Sequence, residues 1–155
     1  MKKVLKWTVM AAPRAVLYLV KKYSLVLTNL SGVDVSSQIF SNTLIDLENR
    51  KQKVLHKNSQ KSEISFNLFT PNQMCKMRAD TFSTKEPEIL SWIDENGSDG
   101  TFWDIGANIG LYSIYYAKSQ PGSVISFEPS VFNLKQLAKN ISINNLSDKL
   151  GLFMV

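Results

Sequence analysis

The sequence predicts an α/β fold built on a sheet of parallel strands. Two short apolar segments, residues 101–105 and 124–127, are separated by a helical pattern, and a third apolar segment opens at residue 150 after another helical pattern. Strand, crossover helix and parallel strand are the repeating unit of such sheets. We therefore expect the first strands and helices of a doubly wound sheet, preceded by a mixed helical and strand region.

The first strand and the turn after it are the most informative segment. Thr101 to Ile105 is apolar and β-branched apart from Asp104, which is typical of a buried parallel strand. Gly106 and Gly110 allow a sharp turn and the close approach of a ligand to the backbone. Asn108 tolerates left-handed backbone angles and can bond within the turn. The pattern predicts a ligand site at the carboxyl end of this strand.

The segment that follows completes the predicted unit. Residues 111–118 are expected to form a helix that covers the sheet and ends at Gln120-Pro121-Gly122. The second strand, residues 124–127, is followed by Glu128, which lies 22 positions after Gly106. A carboxylate only accepts hydrogen bonds, so at this place it is suited to the two hydroxyls of a ribose.

The composition of the turn discriminates between nucleotide cofactors. A dinucleotide fingerprint G-x-G-x-x-G aligned on Gly106 needs glycine where the chain has Asp104 and Ile109. An aspartate repels a pyrophosphate but attracts an α-ammonium group. S-adenosylmethionine carries that ammonium group and a ribose, and it has no phosphate. The turn therefore favours S-adenosylmethionine and disfavours an NAD-dependent oxidoreductase.

Four segments carry a family pattern: residues 102–113 (FWDIGANIGLYS), 127–129 (FEP), 140–144 (NISIN) and the upstream stretch 78–88 with 92–94. Together they resemble the FkbM family of S-adenosylmethionine-dependent methyltransferases. The resemblance covers residues 62 to 155. It implies a Rossmann-like class I methyltransferase sheet and methyl transfer to the oxygen of a hydroxyl-bearing acceptor, a sugar, a glycan or a small molecule.

The resemblance also implies roles for individual residues. The methionine end of the cofactor would be lined by Asp104, Gly106, Ala107, Asn108 and Gly110. The ribose hydroxyls would be held by Glu128. No residue is identified as a catalytic base, and nothing in the sequence requires a metal ion.

The length of 155 residues leads to a further expectation. Residues 61–155 are interpreted as the N-terminal part of a methyltransferase domain, with an incomplete sheet truncated at its C-terminal end. The first strand, central in a complete sheet, would then be an open edge that invites self-association. A catalytically inactive fragment, or a regulatory or interaction remnant, is the alternative, and binding of S-adenosylmethionine would separate the two.

Residues 1–60 are interpreted as a basic N-terminal helix followed by a polar linker. The net charge is +5 with a pI near 9.3, and the first 22 residues are strongly basic. Two interpretations of residues 1–22 are open. They form a plain surface helix, which is favoured, or they make peripheral contact with an anionic membrane through the interfacial anchors Trp7 and Tyr18. We expect a cytoplasmic protein, peripheral at the inner membrane face in the second case. No nucleic-acid recognition motif accompanies the charge.

The central region carries weaker signals. Residues 49–62 are predicted to be a solvated linker, and residues 63–69 alternate as a strand does. Thr84 is the expected cap of a helix that ends at Asn96-Gly97, with Glu86 as an ordinary carboxylate of its first turn. Cys75, the single cysteine, is expected to be a buried thiol, and His56 a solvated loop residue.

Overall fold

The computed structural model describes the backbone of residues 2–155 and the side chains of residues 13–155. It divides the chain into two compact units, Met1–Asp46 and Leu47–Val155. The proposed anchor Trp7 lies outside the described side chains.

The first unit consists of two helices, α1 (Lys2–Ser31) and most of α2 (Val35–Asn49). They are joined through Gly32, whose φ of 70° is left-handed, and Asp34 Oδ1 accepts a hydrogen bond from Ser37 N at 3.0 Å at the start of α2. The predicted anchor Tyr18 is 67% exposed. Among the described residues, no helix has an apolar stretch long enough to cross a membrane.

The second unit opens with a hairpin of β1 (Lys51–Lys57) and β2 (Glu63–Phe69), paired antiparallel over their full length. The prediction of β2 is confirmed. The prediction of a solvated linker over residues 49–62 is wrong, because Val54 is buried in the core while the lysines of β1 face solvent. Lysines are common on edge strands because they discourage pairing with other chains. The boundary between the two compact units lies after Asp46.

Three helices lead from the hairpin to the sheet: α3 (Gln73–Asp80), α4 (Phe82–Lys85) and α5 (Pro87–Asn96). Asn72 Oδ1 caps α3 by accepting from Cys75 N at 2.9 Å, and the Cys75 thiol is free and buried, as expected. The prediction that Thr84 caps α5 is wrong. Thr84 lies inside α4, and α5 begins instead at Pro87, since proline is suited to the first helical position.

The remaining elements form the predicted α/β unit: β3 (Thr101–Ile105), α6 (Leu111–Ser119), β4 (Ser123–Phe127), α7 (Val131–Ile143) and β5 (Leu150–Phe153). The sheet order is β3-β4-β5, and both strand pairs are parallel. This is a partial Rossmann-like arrangement, which confirms the predicted α/β fold class. The core lies between this sheet, α6, α7 and the hairpin, where Ile114 and Tyr115 are fully buried.

The side chains on the opposite face of the sheet are exposed or half-buried. Trp103 is 61% and Ile105 77% exposed. The Phe127 ring lies between those of Trp103 and Phe153, with centroids 5.6 and 5.8 Å away. The prediction that residues 101–105 form a buried strand is therefore wrong, because one face is exposed and on the other Phe102 and Asp104 are only half-buried. Among the described strands β3 pairs only with β4, so its other edge is open.

Candidate functional site

The turn after β3 has a left-handed backbone at three positions. The φ angles are 83° at Gly106, 54° at Asn108 and 87° at Gly110. The N–H groups of Gly106 and Ala107 both donate to the carbonyl of Phe127, at 2.9 and 3.0 Å. The carboxyl end of β4 thus fixes the turn that follows β3, which is where ligands of open α/β sheets bind.

The two glycines of the turn have different surroundings. A Cβ at Gly110 would lie 2.1 Å from Leu137 Cδ1, so this glycine permits α7 to approach the start of α6. A Cβ at Gly106 would meet nothing within 4 Å. The backbone at Gly106 is therefore open to a ligand, whereas Gly110 serves the packing of the helices.

Asp104 lies at the base of the turn, half-buried. Its Oδ2 accepts hydrogen bonds from Ser113 N at 3.1 Å and from the Ser113 hydroxyl. Its Oδ1 accepts none from any described residue. Burial raises the pKa of Asp104, the bonds from Ser113 lower it, and the nearby Glu128 carboxylate raises it again, for a net increase. A cation beside Oδ1 would relieve the cost of this partly desolvated charge.

Glu128 lies where the sequence predicts it, at the end of β4, but its carboxylate is already engaged. It is 4% exposed, and its oxygens accept from Asn108 N at 2.8 Å, Ser130 N at 2.9 Å and Asn133 Nδ2 at 3.1 Å. Burial raises the pKa of Glu128, yet these three bonds and the charge of Arg78 outweigh it, and the pKa is lowered. A carboxylate accepts about four hydrogen bonds, so a ribose diol would have to replace or share a protein donor.

A cavity of about 170 Å³ adjoins the turn. Three predicted site residues, Gly106, Ala107 and Asn108, line it. The Oδ1 of Asn108 is buried and has no hydrogen-bond partner among the described residues. The rest of the lining comes from α3, α4, α6 and the residues between them: Arg78, Thr81, Phe82, Lys85, Glu86, Leu111 and Tyr112.

Sequence reasoning assigned no role to Arg78, Thr81 or Tyr112. Arg78 and Thr81 belong to the upstream stretch that carries the family resemblance, and that was the available signal. Their distance along the chain from Gly106 concealed the contact, since no local periodicity relates α3 to the turn.

Glu86 was expected to be an ordinary carboxylate of a first helical turn, and this is wrong. It precedes α5, and its side chain accepts no hydrogen bond from an N–H of that helix. Instead it accepts from Tyr112 Oη at 2.8 Å and lies 3.0 Å from Lys85 Nζ. These two partners lower the pKa of Glu86, and burial followed by the bond to Glu86 raises the pKa of Tyr112. Glu86 thereby links α5 to α6 at the wall of the cavity.

His56 is also placed differently from its prediction as a loop residue. It lies in β1, its Nδ1 is 2.9 Å from Ser83 Oγ, and its ring meets that of Tyr115 edge-on at 5.3 Å. Burial lowers the pKa of His56 despite the opposing charge of Asp94. These contacts give the histidine a place in the packing of the hairpin, away from the cavity.

Comparison with known proteins gives matches among solved structures, whereas neither a protein-family model nor a curated protein matches the chain. The chain is similar to a proposed S-adenosyl-L-methionine-dependent methyltransferase from Methanococcus maripaludis (25% identity, TM-score 0.41, 52% of this chain and 39% of that one). It is also similar to the C-terminal domain of precorrin-6Y C5,15-methyltransferase from Rhodobacter capsulatus (25% identity, TM-score 0.38, 52% of this chain and 39% of that one). A further similar structure is a SAM-dependent methyltransferase from Aquifex aeolicus (15% identity, TM-score 0.44, 56% of this chain and 47% of that one). The chain thus spans less than half the length of each of these proteins.

Proposed function

We propose that this chain binds S-adenosylmethionine and acts as an O-methyltransferase of the FkbM type on a sugar or glycan hydroxyl. The observation that carries the proposal is the Asp104 carboxylate at the base of a left-handed turn, with one oxygen free of hydrogen bonds from the described residues. An open backbone at Gly106 lies beside it. An anionic group at the end of the first parallel strand favours a cationic ligand and opposes a pyrophosphate.

The residues present fit the two ends of this cofactor. Its ammonium group would be stabilised by Asp104 and by acceptors of the turn, among them the orphaned Oδ1 of Asn108. Its ribose would lie near Glu128, at the end of the adjacent strand, where two carboxylates again disfavour a phosphate. The cavity next to Gly106 would receive the amino-acid end.

For methyl transfer the protein mainly has to position the cofactor and the acceptor. Bound S-adenosylmethionine supplies a methyl group that is already activated as part of a sulfonium. The turn residues would hold the reacting carbon in line with the acceptor oxygen and exclude water, which accounts for a large part of the rate in reactions of this kind. The acceptor must lose its hydroxyl proton to a base, and no described residue is assigned that role.

The acceptor and the cellular location are part of the same proposal. The motifs in residues 102–113, 127–129 and 140–144 support the FkbM type, and through it a sugar or glycan hydroxyl, with a small-molecule hydroxyl as the other acceptor class. For a cytoplasmic protein a plain surface helix at the N-terminus is the favoured proposal, and the basic residues there support peripheral contact of residues 1–22 with an anionic membrane as the alternative.

Calorimetric titration of the purified chain with S-adenosylmethionine tests the proposal, with NAD as the competing ligand. Saturable binding of S-adenosylmethionine but not NAD, lost in Asp104→Ala and weakened in Glu128→Ala, is expected. A folded chain that binds neither ligand would contradict the proposal and favour an inactive remnant. Methyl transfer from labelled cofactor to a panel of glycans then tests the acceptor class.

A further inference from the structure

We propose that Arg78 binds the carboxylate of the cofactor's amino-acid end and makes the site selective for ligands that retain this group. The inference rests on the proposed function and adds to it a specificity-determining residue on α3, outside the strand, turn and helix that define the cofactor motif. It also assigns the cavity beside Gly106 to the amino-acid portion of the ligand.

Arg78 lies beside the turn that follows β3. Arg78 lies in the last turn of α3 and lines the cavity together with Gly106, Ala107 and Asn108. It is half-buried, and its charge is close enough to lower the pKa of Glu128 at the end of β4. The guanidinium therefore lies close to the turn, although α3 ends at Asp80 and β3 begins only at Thr101.

The charged groups around the cavity differ in whether they have a partner. Lys85 lies 3.0 Å from Glu86 Oε1, and Glu86 Oε2 accepts from Tyr112 Oη at 2.8 Å, so these groups are engaged with one another. Arg78, in contrast, makes no hydrogen bond or ion pair within the side chains described, residues 13–155. A guanidinium is a planar fork of donors that matches a carboxylate in two parallel hydrogen bonds. The Arg78 guanidinium is thus a cation at the cavity whose N–H groups are available to donate to a ligand.

The polar groups that line the cavity are complementary to an amino acid. The turn offers a buried acceptor at the cavity, Asn108 Oδ1, whereas α3 offers a cation. An α-amino acid in its zwitterionic form presents the opposite pattern, an ammonium group and a carboxylate on one carbon. The volume of about 170 Å³ is also well below the roughly 300–1,000 Å³ that a whole drug-sized ligand occupies. The cavity is therefore sized for one end of the cofactor.

Two ligands that differ only in the amino-acid end provide the test. S-adenosylhomocysteine has the carboxylate and the ammonium group, and 5′-methylthioadenosine has neither. Both would be titrated calorimetrically into the wild-type chain and Arg78→Met, with Lys76→Met as the control on the same helix, since Lys76 pairs with Asp80 away from the cavity. A charged hydrogen bond contributes about 1.5–3 kcal/mol, which corresponds to a loss of roughly 10- to 150-fold in affinity for S-adenosylhomocysteine.

The expected result is this loss in Arg78→Met for S-adenosylhomocysteine alone, with the affinity for 5′-methylthioadenosine unchanged and partial recovery in Arg78→Lys. Unchanged affinity for S-adenosylhomocysteine in Arg78→Met, or an equal loss for both ligands, would overturn the assignment of Arg78 while the proposed function stands. Failure of the wild-type chain to bind either ligand would overturn the proposed function and this inference with it. Melting temperatures of all variants separate these outcomes from unfolding.

Discussion

The backbone N–H of Asn108 donates to Glu128 Oε2 at 2.8 Å. This bond joins the turn after β3 to the end of β4, two segments that are adjacent in the sheet but separated by a whole helix in sequence. Asn108 has a φ of 54°, and the bond helps to hold this left-handed conformation. The residue expected to hold the ribose is thus also a structural support of the turn.

Loss of the Glu128 carboxylate should destabilise the protein as well as weaken ligand binding. Glu128→Ala leaves the donors Asn108 N and Ser130 N without their acceptor, at a cost of about 1–3 kcal/mol for a buried unsatisfied group. Glu128→Gln keeps one acceptor oxygen and should cost less. Urea denaturation of both variants measures the difference, and equal stability of Glu128→Ala and wild type would show that the bonds do not support the turn.

Removal of the Asp104 charge should have opposite effects on stability and binding. The pKa of Asp104 is raised, so the folded protein binds the proton more tightly than the unfolded chain, and stability falls as the pH rises through that raised pKa. Asp104→Asn should therefore raise the melting temperature at pH 7, by about 2–4 °C for each kcal/mol by which the free energy of unfolding increases. It should also weaken binding of S-adenosylhomocysteine.

The pH dependence provides the control for this prediction. Below the usual aspartate pKa of about 3.9 the side chain is neutral in both states, so the difference between Asp104→Asn and wild type should disappear. Melting curves between pH 3.5 and 8, with exposed Asp99→Asn alongside, would check this. A stability difference independent of pH would assign the effect to packing instead of charge.

Gly110 and Gly106 should differ in their tolerance of a side chain. Both have positive φ, so alanine strains either position by about 1–3 kcal/mol. Only at Gly110 would the new Cβ also meet Leu137, at 2.1 Å from Cδ1. Gly110→Ala should therefore be the less stable variant in urea denaturation, whereas Gly106→Ala should mainly weaken ligand binding. The reverse order of stability would contradict the packing role of Gly110.

Asn140 should be among the most sensitive residues of the second unit. It is fully buried on α7, its Oδ1 accepts from Phe69 N at 2.8 Å, and its Nδ2 donates to Ile109 O at 2.9 Å. Asn140→Ala leaves both backbone groups unpaired, at about 1–3 kcal/mol each. Asn96→Ala is a matched control, because its exposed amide bonds only Trp92 O. Thermal unfolding should show a large loss for the first variant and almost none for the second.

The open edge and uncovered face of the sheet should favour self-association. Trp103 and Ile105 lie on β3, which has no partner on its outer side among the described strands. Ile105→Lys should reduce the mean mass in light scattering at high concentration, since a charge on an edge strand opposes pairing. Phe132→Lys, on α7 and 84% exposed, is the control. A wild-type chain that stays monomeric at every concentration would contradict the prediction.

Much of the site was predictable because its determinants are local. The bounds of β2 and β3, the start of α6 and the glycines of the turn follow from periodicity and backbone freedom within a few residues. β1 was missed because its lysines and its single buried residue, Val54, resemble a loop until the strand is paired with β2. Thr84 was misjudged as a cap because a short helix, α4, intervenes before Pro87.

The sequence by itself determined the α/β unit, its left-handed turn and the acidic residues at the ends of two neighbouring strands, since each depends on residue types close together in the chain. Only the tertiary structure decided that Arg78 lines the cavity, that Glu86 bonds Tyr112, and that Asn140 connects β2 to the turn. These relationships join residues 26 to 71 positions apart. Contacts at such separations arise from the packing of whole elements, and no local pattern encodes them.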